Sequence, residues 1–475
     1  MLNSKPTATK SSSPTSSQPS LSSPPIIPAI SLLKFPFKLT KDQMEAVDSW
    51  TTNGFRGSII YSTGTGKTEI AFECAKRACE AIVINEGKNP ADNNNKSFNI
   101  LFLVPRIVLV QQNINRLIRY GIPEERIGAY FGERKEVGEI TISTYQSSIN
   151  NFDLINSSNM IIFDEVHLVS DTATTLRKVF DLVTAADPEK PLLGLTATID
   201  EQDPRYNTVL SLLPPVRRYM IKDAVKDKRL ARPVVIPIKV DLTYNEQKIY
   251  DECSTKIRNI SGYLHTSDPK SMASLLRRGG RTAGLARAWF ANVKERKNVI
   301  NCAKNKLSAA VDIIATKHHS ERIMVFSETI ESIQKLKELL QNKGIKSMII
   351  DSKLKSKERQ KILSEWGKEF FPLLSVHTLE IGYDVPEVRV AIILATTSNM
   401  NQIVQRIGRT IRKTEGKDTA LIYTMYLSYT HDTSTLRMVR QATDVDIGKH
   451  ENKDKKDLRA SSVTCDNANL DRYVI

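Results

Sequence analysis

Short apolar runs alternate with amphipathic stretches along most of the chain. In its first half the runs are Gly57–Tyr61, Ile100–Val104, Ile140–Thr144, Met160–Phe163 and Leu192–Leu195. Apolar runs of this length, bounded by polar segments, are typical of buried strands. The longer stretches between them have apolar residues at helical spacing, and the alternation predicts parallel β-α-β units.

A second series of the same kind begins near Arg322. Its apolar runs are Ile323–Phe326, Ser347–Ile350, Leu373–Val376, Val390–Leu394 and Ala420–Tyr423. Helical segments such as Ile330–Leu340 and Lys357–Trp366 lie between them. Pro214-Pro215 and the Lys/Arg-rich stretch 222–232 separate the two series, so we expect a hinge there. The predicted fold class is therefore α/β, with two parallel-sheet domains in tandem.

The two ends of the chain differ from this pattern. Residues 1–30 are rich in Ser, Pro and Thr and contain no acid, and residues from about 444 onward are charged and polar. Such stretches cannot bury enough apolar surface to offset their conformational entropy, so we expect disordered tails. A Ser-rich leader is also typical of a transit peptide, but this one contains no arginine. The expected division is a tail at 1–30, a first domain at 31–220, a linker with a basic helical segment at 221–320, a second domain at 321–443 and a tail at 444–475.

Composition narrows the class of protein. The 475 residues are 40% hydrophobic and 25% charged, which excludes a collagen-like fibre and a fully disordered chain. The five cysteines form no C-x-x-C pair, which argues against a zinc ribbon, an iron–sulfur cluster or a disulfide scaffold. No apolar run reaches the roughly 18 residues that a membrane span needs. We therefore expect an intracellular protein without a membrane segment, in the cytoplasm or nucleoid of a prokaryote or the nucleus of a eukaryote.

A glycine-rich loop follows the first predicted strand. Ser62-Thr63-Gly64-Thr65-Gly66-Lys67-Thr68 lies between that strand and a predicted helix over Glu69–Arg77. Gly64 and Gly66 permit a tight turn whose N–H groups face phosphate oxygens, and the helix N-terminus favours an anion. Lys67 is placed to reach the β- and γ-phosphates of a nucleotide, and the Thr68 hydroxyl to bind Mg²⁺. Tyr61 stands where the usual motif has its first glycine.

Two acids end a buried strand further along. Met160–Phe163 leads directly into Asp164-Glu165-Val166-His167. Parallel sheets bind ligands at the carboxyl ends of their strands, so both carboxylates are expected at such an edge. Asp164 is suited to hold Mg²⁺, and Glu165 to orient or deprotonate the attacking water.

Four motifs occur in a diagnostic order: GTGKT, DEVH, the Thr196-Ala197-Thr198 of LLGLTAT, and QRIGRTIR. Together they resemble the superfamily 2 helicases over residues 37–427. The resemblance implies two RecA-like domains with ATP in the cleft between them, and a nucleic-acid-dependent ATPase with ATP and Mg²⁺ as cofactors. It also implies that His167, Thr196 and Thr198 couple the cleft to the nucleic acid.

An arginine motif in the second domain belongs to the same resemblance. Arg409 and Arg412 have i,i+3 spacing, which places them on one face of a helix. The family pattern implies that they are the arginine-finger pair and that Gln405 contacts the cleft. It further implies nucleotide contacts for Gly382 and Asp384 in LEIGYDVP, and an adenine contact for Gln43.

Basic residues point to a nucleic acid. The net charge is +15, from 68 Lys and Arg against 53 Asp and Glu, which favours a polyanionic partner. Arg106 and Thr144 follow predicted strands and match backbone contacts of the family. The densest basic stretch, Lys270 to Lys306, is expected to contact phosphates through Arg277, Arg278, Arg281 and Arg287. Trp289 and Phe290 within it could stack on bases, but such aromatics more often anchor a helix to its own core.

Within the superfamily, Leu195–Arg412 is most similar to the xeroderma-pigmentosum group B DNA helicases and their archaeal relatives. LTYNEQKIYDE and ARAWFANVKERKNVINCAKNKL contribute to this similarity. Glu201-Gln202-Asp203 replaces the family's Arg-Glu-Asp element, which argues against strong unwinding. The resemblance implies movement on duplex or branched DNA, a DNA-repair setting and a nuclease partner. An RNA helicase, a restriction-type motor subunit and a catalytically idle nucleic-acid-binding scaffold remain the alternatives.

Overall fold

Two mostly parallel sheets form the two halves of the molecule. The computed structural model describes residues 27–86, 97–187, 189–351, 353–376, 388–395, 400–414 and 416–443. Most of the expected tails, 1–26 and 444–475, lies outside these residues. Within them, no helix is long and apolar enough to cross a membrane, and Cys74, Cys79, Cys253 and Cys302 are free thiols.

The first sheet has eight strands. They are β1 (Arg56–Tyr61), β2 (Ile100–Val104), β3 (Ile127–Phe131), β4 (Arg134–Lys135), β5 (Ile140–Thr144), β6 (Met160–Asp164), β7 (Leu192–Thr196) and β8 (Pro215–Tyr219). The order across the sheet is β4-β3-β5-β2-β6-β7-β1-β8. Every neighbouring pair is parallel except the β3–β4 hairpin. The central strands are buried along their whole length, which explains their continuous apolar runs.

Helices cover both faces of this sheet. They are α1 (Lys41–Thr52), α2 (Lys67–Glu86), α3 (Ile107–Arg119), α4 (Tyr145–Ser148), α5 (Phe152–Asn156), α6 (Thr174–Ala186), α7 (Asn207–Leu212) and α8 (Ile221–Lys226). Single 3₁₀ turns cover Ala29–Leu32, Glu124–Arg126, Val166–Leu168 and Pro204–Tyr206.

The N-terminal tail ends earlier than the sequence predicted. Ala29 and Ile30 are buried, and the backbone N–H of Ala29 donates to Glu139 Oε2 at 2.9 Å. The segment 28–30 therefore packs on the first domain, whereas the Ile27 side chain is exposed. The expectation of disorder up to residue 30 is wrong for Ala29 and Ile30, because these two apolar side chains bury enough surface to hold the backbone.

The second sheet has six strands. They are β9 (Arg232–Val240), β10 (Ile323–Ser327), β11 (Met348–Ile350), β12 (Pro372–Val376), β13 (Val390–Ile393) and β14 (Thr419–Leu427). The order is β11-β12-β10-β13-β14-β9, and all neighbouring pairs are parallel. The expected division differs from the structure here, because 232–240 was assigned to the linker but pairs along its full length with β14.

Four helices separate β9 from β10 along the chain: α9 (Tyr244–Leu264), α10 (Pro269–Arg278), α11 (Gly280–Asn301) and α12 (Lys304–Lys317). Thr243 and Glu246 form a capping box that starts α9. Trp289 is buried beside Ile257 and Met272, and its Nε1 donates to Ser261 Oγ at 2.9 Å. Its ring therefore anchors α11 to α9, as the commoner behaviour of such residues suggested.

The remaining helices flank the second sheet: α13 (Ile330–Asn342), α14 (Ser356–Glu365), α15 (Met400–Thr410) and α16 (His431–Ala442). Each of the ten strands predicted from apolar runs is present, as β1, β2, β5, β6, β7, β10, β11, β12, β13 and β14. The prediction of an α/β fold with two tandem domains is thereby confirmed.

Candidate functional site

The glycine loop and the two acids lie at one edge of the first sheet. The loop follows β1 and the acids end β6, while β7 pairs with both of these strands. All three strands are parallel, so their carboxyl ends meet at the same edge. The Thr196-Ala197-Thr198 segment follows β7 and thus lies between the loop and the acids.

The loop has the conformation that a phosphate site requires. Gly64 and Gly66 have φ values of 84° and 86°, which other residues rarely adopt. The Thr65 hydroxyl donates to the carbonyl of Ser62 at 2.7 Å and closes the turn. Lys67 Nζ donates to the carbonyl of Tyr61 at 3.1 Å, so the ammonium folds back over the loop. The loop is thus held by its own contacts and by the start of α2.

Asp164 and Glu165 are adjacent buried carboxylates with different electrostatic surroundings. Burial, and then the charge of Glu165, raise the pKa of Asp164 to about 7. Burial alone would raise the pKa of Glu165, but His167 and Lys67 outweigh it and lower that pKa. Glu165 has a left-handed backbone with φ 51°, a strained conformation that is common at functional sites. Of the two carboxyls, Glu165 therefore ionises more readily.

His167 connects the acids to the segment after β7. Its Nδ1 lies 3.0 Å from Thr196 Oγ1 and 3.3 Å from Glu165 Oε2. The Thr196 hydroxyl donates to the carbonyl of Thr198 at 2.9 Å. His167 and Thr196 are buried. The three predicted coupling residues are thus connected by hydrogen bonds, and His167 also lies within ion-pair distance of Glu165.

The second domain contributes the arginine helix. Gln405 and Arg409 are buried on α15, and Arg412 follows its C-terminus. A Cβ atom on Gly408 would collide with Thr63 Oγ1, so the missing side chain lets α15 approach the loop. Arg412 also lies beside the loop, since its Cγ is 3.2 Å from the position of a Cβ on Gly64. Gly382 and Asp384, which were also predicted to contact nucleotide, lie outside the described residues.

A cleft of about 570 Å³ lies between these elements of the two domains. The predicted residues that line it are Thr63, Gly64, Gly66, Lys67, Thr68, Asp164, Glu165, Gln405, Arg409 and Arg412. Its ionisable lining comprises seven basic and three acidic side chains: Lys67, Arg116, Arg119, Arg229, Arg409, Arg412 and Lys413 against Glu69, Asp164 and Glu165. This excess of positive charge suits a polyanion the size of a nucleoside triphosphate.

The side chains near the N-terminus of α2 fit a magnesium ion bound together with such a nucleotide. Thr68 and Asp164 both line the cleft. Hydroxyl and carboxylate oxygens are ligands that Mg²⁺ prefers. Within the described part of the chain, the buried Ser62 and Thr63 hydroxyls have no hydrogen-bond partner, as expected of a loop built to receive a polar ligand.

Gln43 is placed beside the loop but is already engaged. Its Oε1 accepts from the backbone N–H of Thr40 at 2.9 Å, and its Nε2 donates to the carbonyl of Thr65 at 3.0 Å. Gln43 is also buried. In this arrangement both ends of the amide stabilise the loop and the start of α1, so an adenine contact would require the side chain to turn.

The predicted nucleic-acid residues form two separate groups. Arg106 and Thr144 follow β2 and β5, which are neighbours in the sheet, so both lie at its carboxyl edge. The other group lies on α10 and α11, where Arg277, Arg278, Arg281 and Arg287 are all exposed. Arg281 stacks over the Tyr263 ring, 5.7 Å from its centroid. Neither group lines the cleft. The arginines of both groups are exposed, whereas Thr144 is buried and its hydroxyl donates to Ser147 Oγ at 3.0 Å.

Some cleft residues were missed in the sequence. Arg229 precedes β9 and reaches the loop, where its Nη2 donates to the carbonyl of Thr65 at 2.8 Å. Arg116 and Arg119 come from one face of α3. Their i,i+3 spacing next to a predicted strand was a usable signal. No sequence signal marked Arg229, because it reaches the phosphate loop only through the path of the linker between the two domains.

A phosphate loop, a carboxylate pair and arginines from a second domain around one cleft define a two-domain P-loop NTPase. Family models agree: residues 36–201 match "Type III restriction enzyme, res subunit" and residues 305–414 match "Helicase conserved C-terminal domain". Together the two models cover more than half of the chain. The chain belongs to the superfamily 2 helicases, a superfamily that uses ATP.

Curated relatives are similar over most of the chain. The DNA 3'-5' translocase XPB2 of Sulfurisphaera tokodaii is 25% identical over 402 residues, which are 82% of this chain and 83% of that protein. The DNA 3'-5' helicase XPB of Mycobacterium tuberculosis is 25% identical over 410 residues, 83% of this chain but only 62% of that protein. The expected similarity to this branch is confirmed.

Solved structures share the fold. The helicase domain of Hef from Pyrococcus furiosus has a TM-score of 0.56 and 17% identity, and the match covers 84% of this chain and 99% of that domain. The DNA-bound restriction-modification enzyme LlaBIII has a TM-score of 0.56 and 18% identity, over 86% of this chain and 30% of that enzyme. The helicase-type fold therefore spans nearly all of the described chain.

Proposed function

We propose that this protein is an ATP-dependent DNA helicase or translocase, which couples ATP hydrolysis to movement on DNA. One observation carries the proposal: side chains from both domains line a single positively charged cleft next to a phosphate loop. Hydrolysis in such a cleft depends on how closely the domains approach each other. Cycles of closure can therefore move one domain relative to the other along a strand.

The side chains have distinct roles in this proposal. Lys67 and the loop N–H groups hold the phosphates, and Glu165 takes the proton of the attacking water. Arg409 and Arg412 neutralise the charge that develops on the γ-phosphate oxygens. Thr68 and Asp164 would hold the Mg²⁺, whose charge offsets that of the β- and γ-phosphates. The presence of these residues in the lining of one cleft supports the proposed roles.

DNA is the proposed track. Relatives over most of the chain are named as a DNA 3'-5' translocase and DNA 3'-5' helicases. Arg106 and Thr144 lie at the edge of the sheet that also bears the coupling residues, and the α10–α11 surface is basic. Contacts of this kind grip phosphates without reading bases, so we propose sequence-tolerant binding to duplex or branched DNA. A nuclease partner rests on the restriction-enzyme similarity alone.

The proposed division of labour follows the two sheets. We assign the ATP-binding domain to residues 31–220 and the second RecA-like domain to 321–443, together with β9. The helices between β9 and β10, within the segment 221–320, form a thumb-like DNA-binding insertion.

The proposal is tested by measuring ATP hydrolysis with duplex DNA, single-stranded DNA and RNA as separate stimulants. We expect duplex DNA to give the largest increase in kcat of the three. Stimulation by RNA alone would identify an RNA helicase instead. Absence of ATP hydrolysis with all three nucleic acids would identify a catalytically idle scaffold instead.

A further inference from the structure

The four residues Arg229–Arg232, here called the strap, join the two halves of the cleft. Leu230 forms an antiparallel bridge with Arg412. The backbone N–H of Ala231 donates to the carbonyl of Ile411 at 2.8 Å, and that of Arg232 to the carbonyl of Asp418 at 2.8 Å. The strap backbone is therefore fixed to the end of the arginine helix in the second domain.

Arg229, the first residue of the strap, is fixed to the first domain instead. Its Nη2 donates to the carbonyl of Thr65 at 2.8 Å, and its Nη1 donates to Thr40 Oγ1 at 2.9 Å. The same guanidinium is ion-paired with Asp42. A planar guanidinium that donates in several directions holds a carbonyl, a hydroxyl and a carboxylate in one geometry, which an ammonium cannot reproduce.

The Arg229 guanidinium packs against aromatic rings. The Arg229 guanidinium lies 5.9 Å from the centroid of the Tyr219 ring. Tyr219 stacks on Tyr61 with 5.1 Å between ring centroids, and the Tyr61 hydroxyl donates to the carbonyl of Asp42 at 2.7 Å. Tyr61 is the residue that replaces the first glycine of the usual phosphate-loop motif. The substituted position thus forms part of the platform under Arg229.

The opposite side of Arg412 is held just as firmly. Lys417 is buried, and its Nζ donates to the carbonyls of Thr410 at 2.5 Å, Arg412 at 2.9 Å and Val388 at 2.6 Å. An ammonium at the carbonyl end of a helix is electrostatically favourable. The backbone of Arg412 is therefore fixed between the strap and Lys417.

We infer that Arg229 is a positioning residue, which sets where Arg412 lies relative to the phosphate loop. The inference rests on the proposed ATPase function. Only Leu230 and Ala231 separate Arg229 from β9. A movement of the Thr65 carbonyl, to which Arg229 donates, is therefore transmitted to the arginine helix through a short segment. Without the Arg229 side chain, the strap would still bind the second domain but would no longer contact the phosphate loop.

The test compares Arg229→Ala and Arg229→Lys with Lys226→Ala, an exposed control of equal charge change at the end of α8. The readouts are kcat and KM for ATP at saturating duplex DNA, and binding of a fluorescent ATP analogue. For Arg229→Ala we expect kcat to fall by about 10- to 100-fold, because misplacement of a catalytic group by about 1 Å has such effects. We expect the KM to change by less than about threefold, and Arg229→Lys to recover part of kcat.

A second measurement separates positioning from loss of structure. Arg412→Ala already removes the group that Arg229 positions, so adding Arg229→Ala should lower kcat by less than about threefold more. Fully multiplicative losses would contradict the inference. If Arg229→Ala does not fold, Arg229→Lys carries the same comparison.

Two further outcomes overturn the inference. A raised KM with unchanged kcat would make Arg229 a direct ligand of the nucleotide, and a kcat equal to that of Lys226→Ala would leave it without a role in the reaction. Failure of the proposed function has a different signature, because the wild-type protein itself would then show no nucleic-acid-dependent hydrolysis.

Discussion

The His167 imidazole and the Thr196 hydroxyl lie 3.0 Å apart, Nδ1 to Oγ1, in the buried space between the ends of β6 and β7. His167 comes two residues after Glu165, and Thr196 begins the Thr196-Ala197-Thr198 segment. The hydrogen bond joins the place where ATP would be hydrolysed to a loop at the same sheet edge as Arg106 and Thr144. A change at Glu165 therefore has a short path, through His167 and Thr196, to the segment that follows β7.

His167→Ala removes this path but leaves the phosphate loop intact. We expect ATP binding to be retained and the DNA-stimulated kcat to fall by about tenfold, the cost of roughly 1.4 kcal/mol in the transition state. The unstimulated rate should fall less, because it loses only the effect of His167 on the pKa of Glu165, whereas the stimulated rate also loses the coupling. The measurement is ATP hydrolysis with and without duplex DNA. His319→Ala, which changes an exposed histidine, is the matched control, and equal losses of the two rates in His167→Ala would contradict the coupling role.

Arg409→Ala should abolish most of the hydrolysis. Arginine fingers contribute about a thousandfold or more to kcat, because they neutralise charge that appears only in the transition state. Arg409→Lys should not restore the rate, since an ammonium lacks the two-pronged geometry of a guanidinium. ATP affinity should stay within about threefold of wild type. Arg437→Ala, at an exposed position on α16, is the control and should keep full activity; a similar loss in that variant would point to a general defect of the second domain.

The α10–α11 surface should contribute to DNA affinity in a salt-dependent way. Replacing Arg277, Arg278, Arg281 and Arg287 by Gln should reduce the slope of log K against log salt by up to about one per residue that contacts a phosphate. The loss of affinity should be similar for unrelated duplex sequences. Exposed lysines of the second domain provide a charge-matched control: Lys343, Lys353, Lys357 and Lys368. An identical slope in the arginine variant and the wild type would remove these residues from the DNA-binding surface.

Buried His318 should make the stability of the protein depend on pH. Its Nε2 lies 3.0 Å from the Tyr423 hydroxyl, and burial lowers the pKa of His318 below the ordinary value of 6.5. Between the folded pKa and 6.5 the unfolded chain binds the proton more readily, so stability rises with pH in that window and is lost as pH falls through it.

The measurement for this prediction is the thermal unfolding midpoint from about pH 7 to about pH 5. His318→Gln should flatten the dependence, whereas His319→Gln, an exposed change next to it, should not. A wild-type slope in His318→Gln would show that other groups cause the effect.

Much of the fold was readable in the sequence because its central strands are buried on both faces. Such strands appear as uninterrupted apolar runs, and β1, β6 and β10 were found in this way. The strands that escaped prediction lie at or near the sheet edges. β4 has two exposed residues, β8 is largely half-buried, and β9 alternates Pro and charged residues with apolar ones. Their pairing depends on neighbours that are distant in sequence.

The catalytic half of the site was predictable for a related reason. Lys67 and Asp164 occur in local motifs whose spacing is fixed by a strand, a turn and a helix. The contribution of Arg229 is not local, because it arises from a linker that returns to the loop. Gln43 shows the opposite case: the resemblance implied an adenine contact for it, but its amide is engaged by Thr40 and Thr65.

The central claim is that ATP hydrolysis in the interdomain cleft moves this protein along DNA. It is tested most directly by displacement of a third strand from a DNA triplex, with the wild type and Glu165→Gln compared at saturating ATP. The wild type should displace the strand only when ATP can be hydrolysed. Glu165→Gln should bind ATP but displace nothing, since loss of a general base costs about 10²–10⁴ in rate. Wild-type displacement by Glu165→Gln, or displacement by the wild type without ATP, would contradict the account.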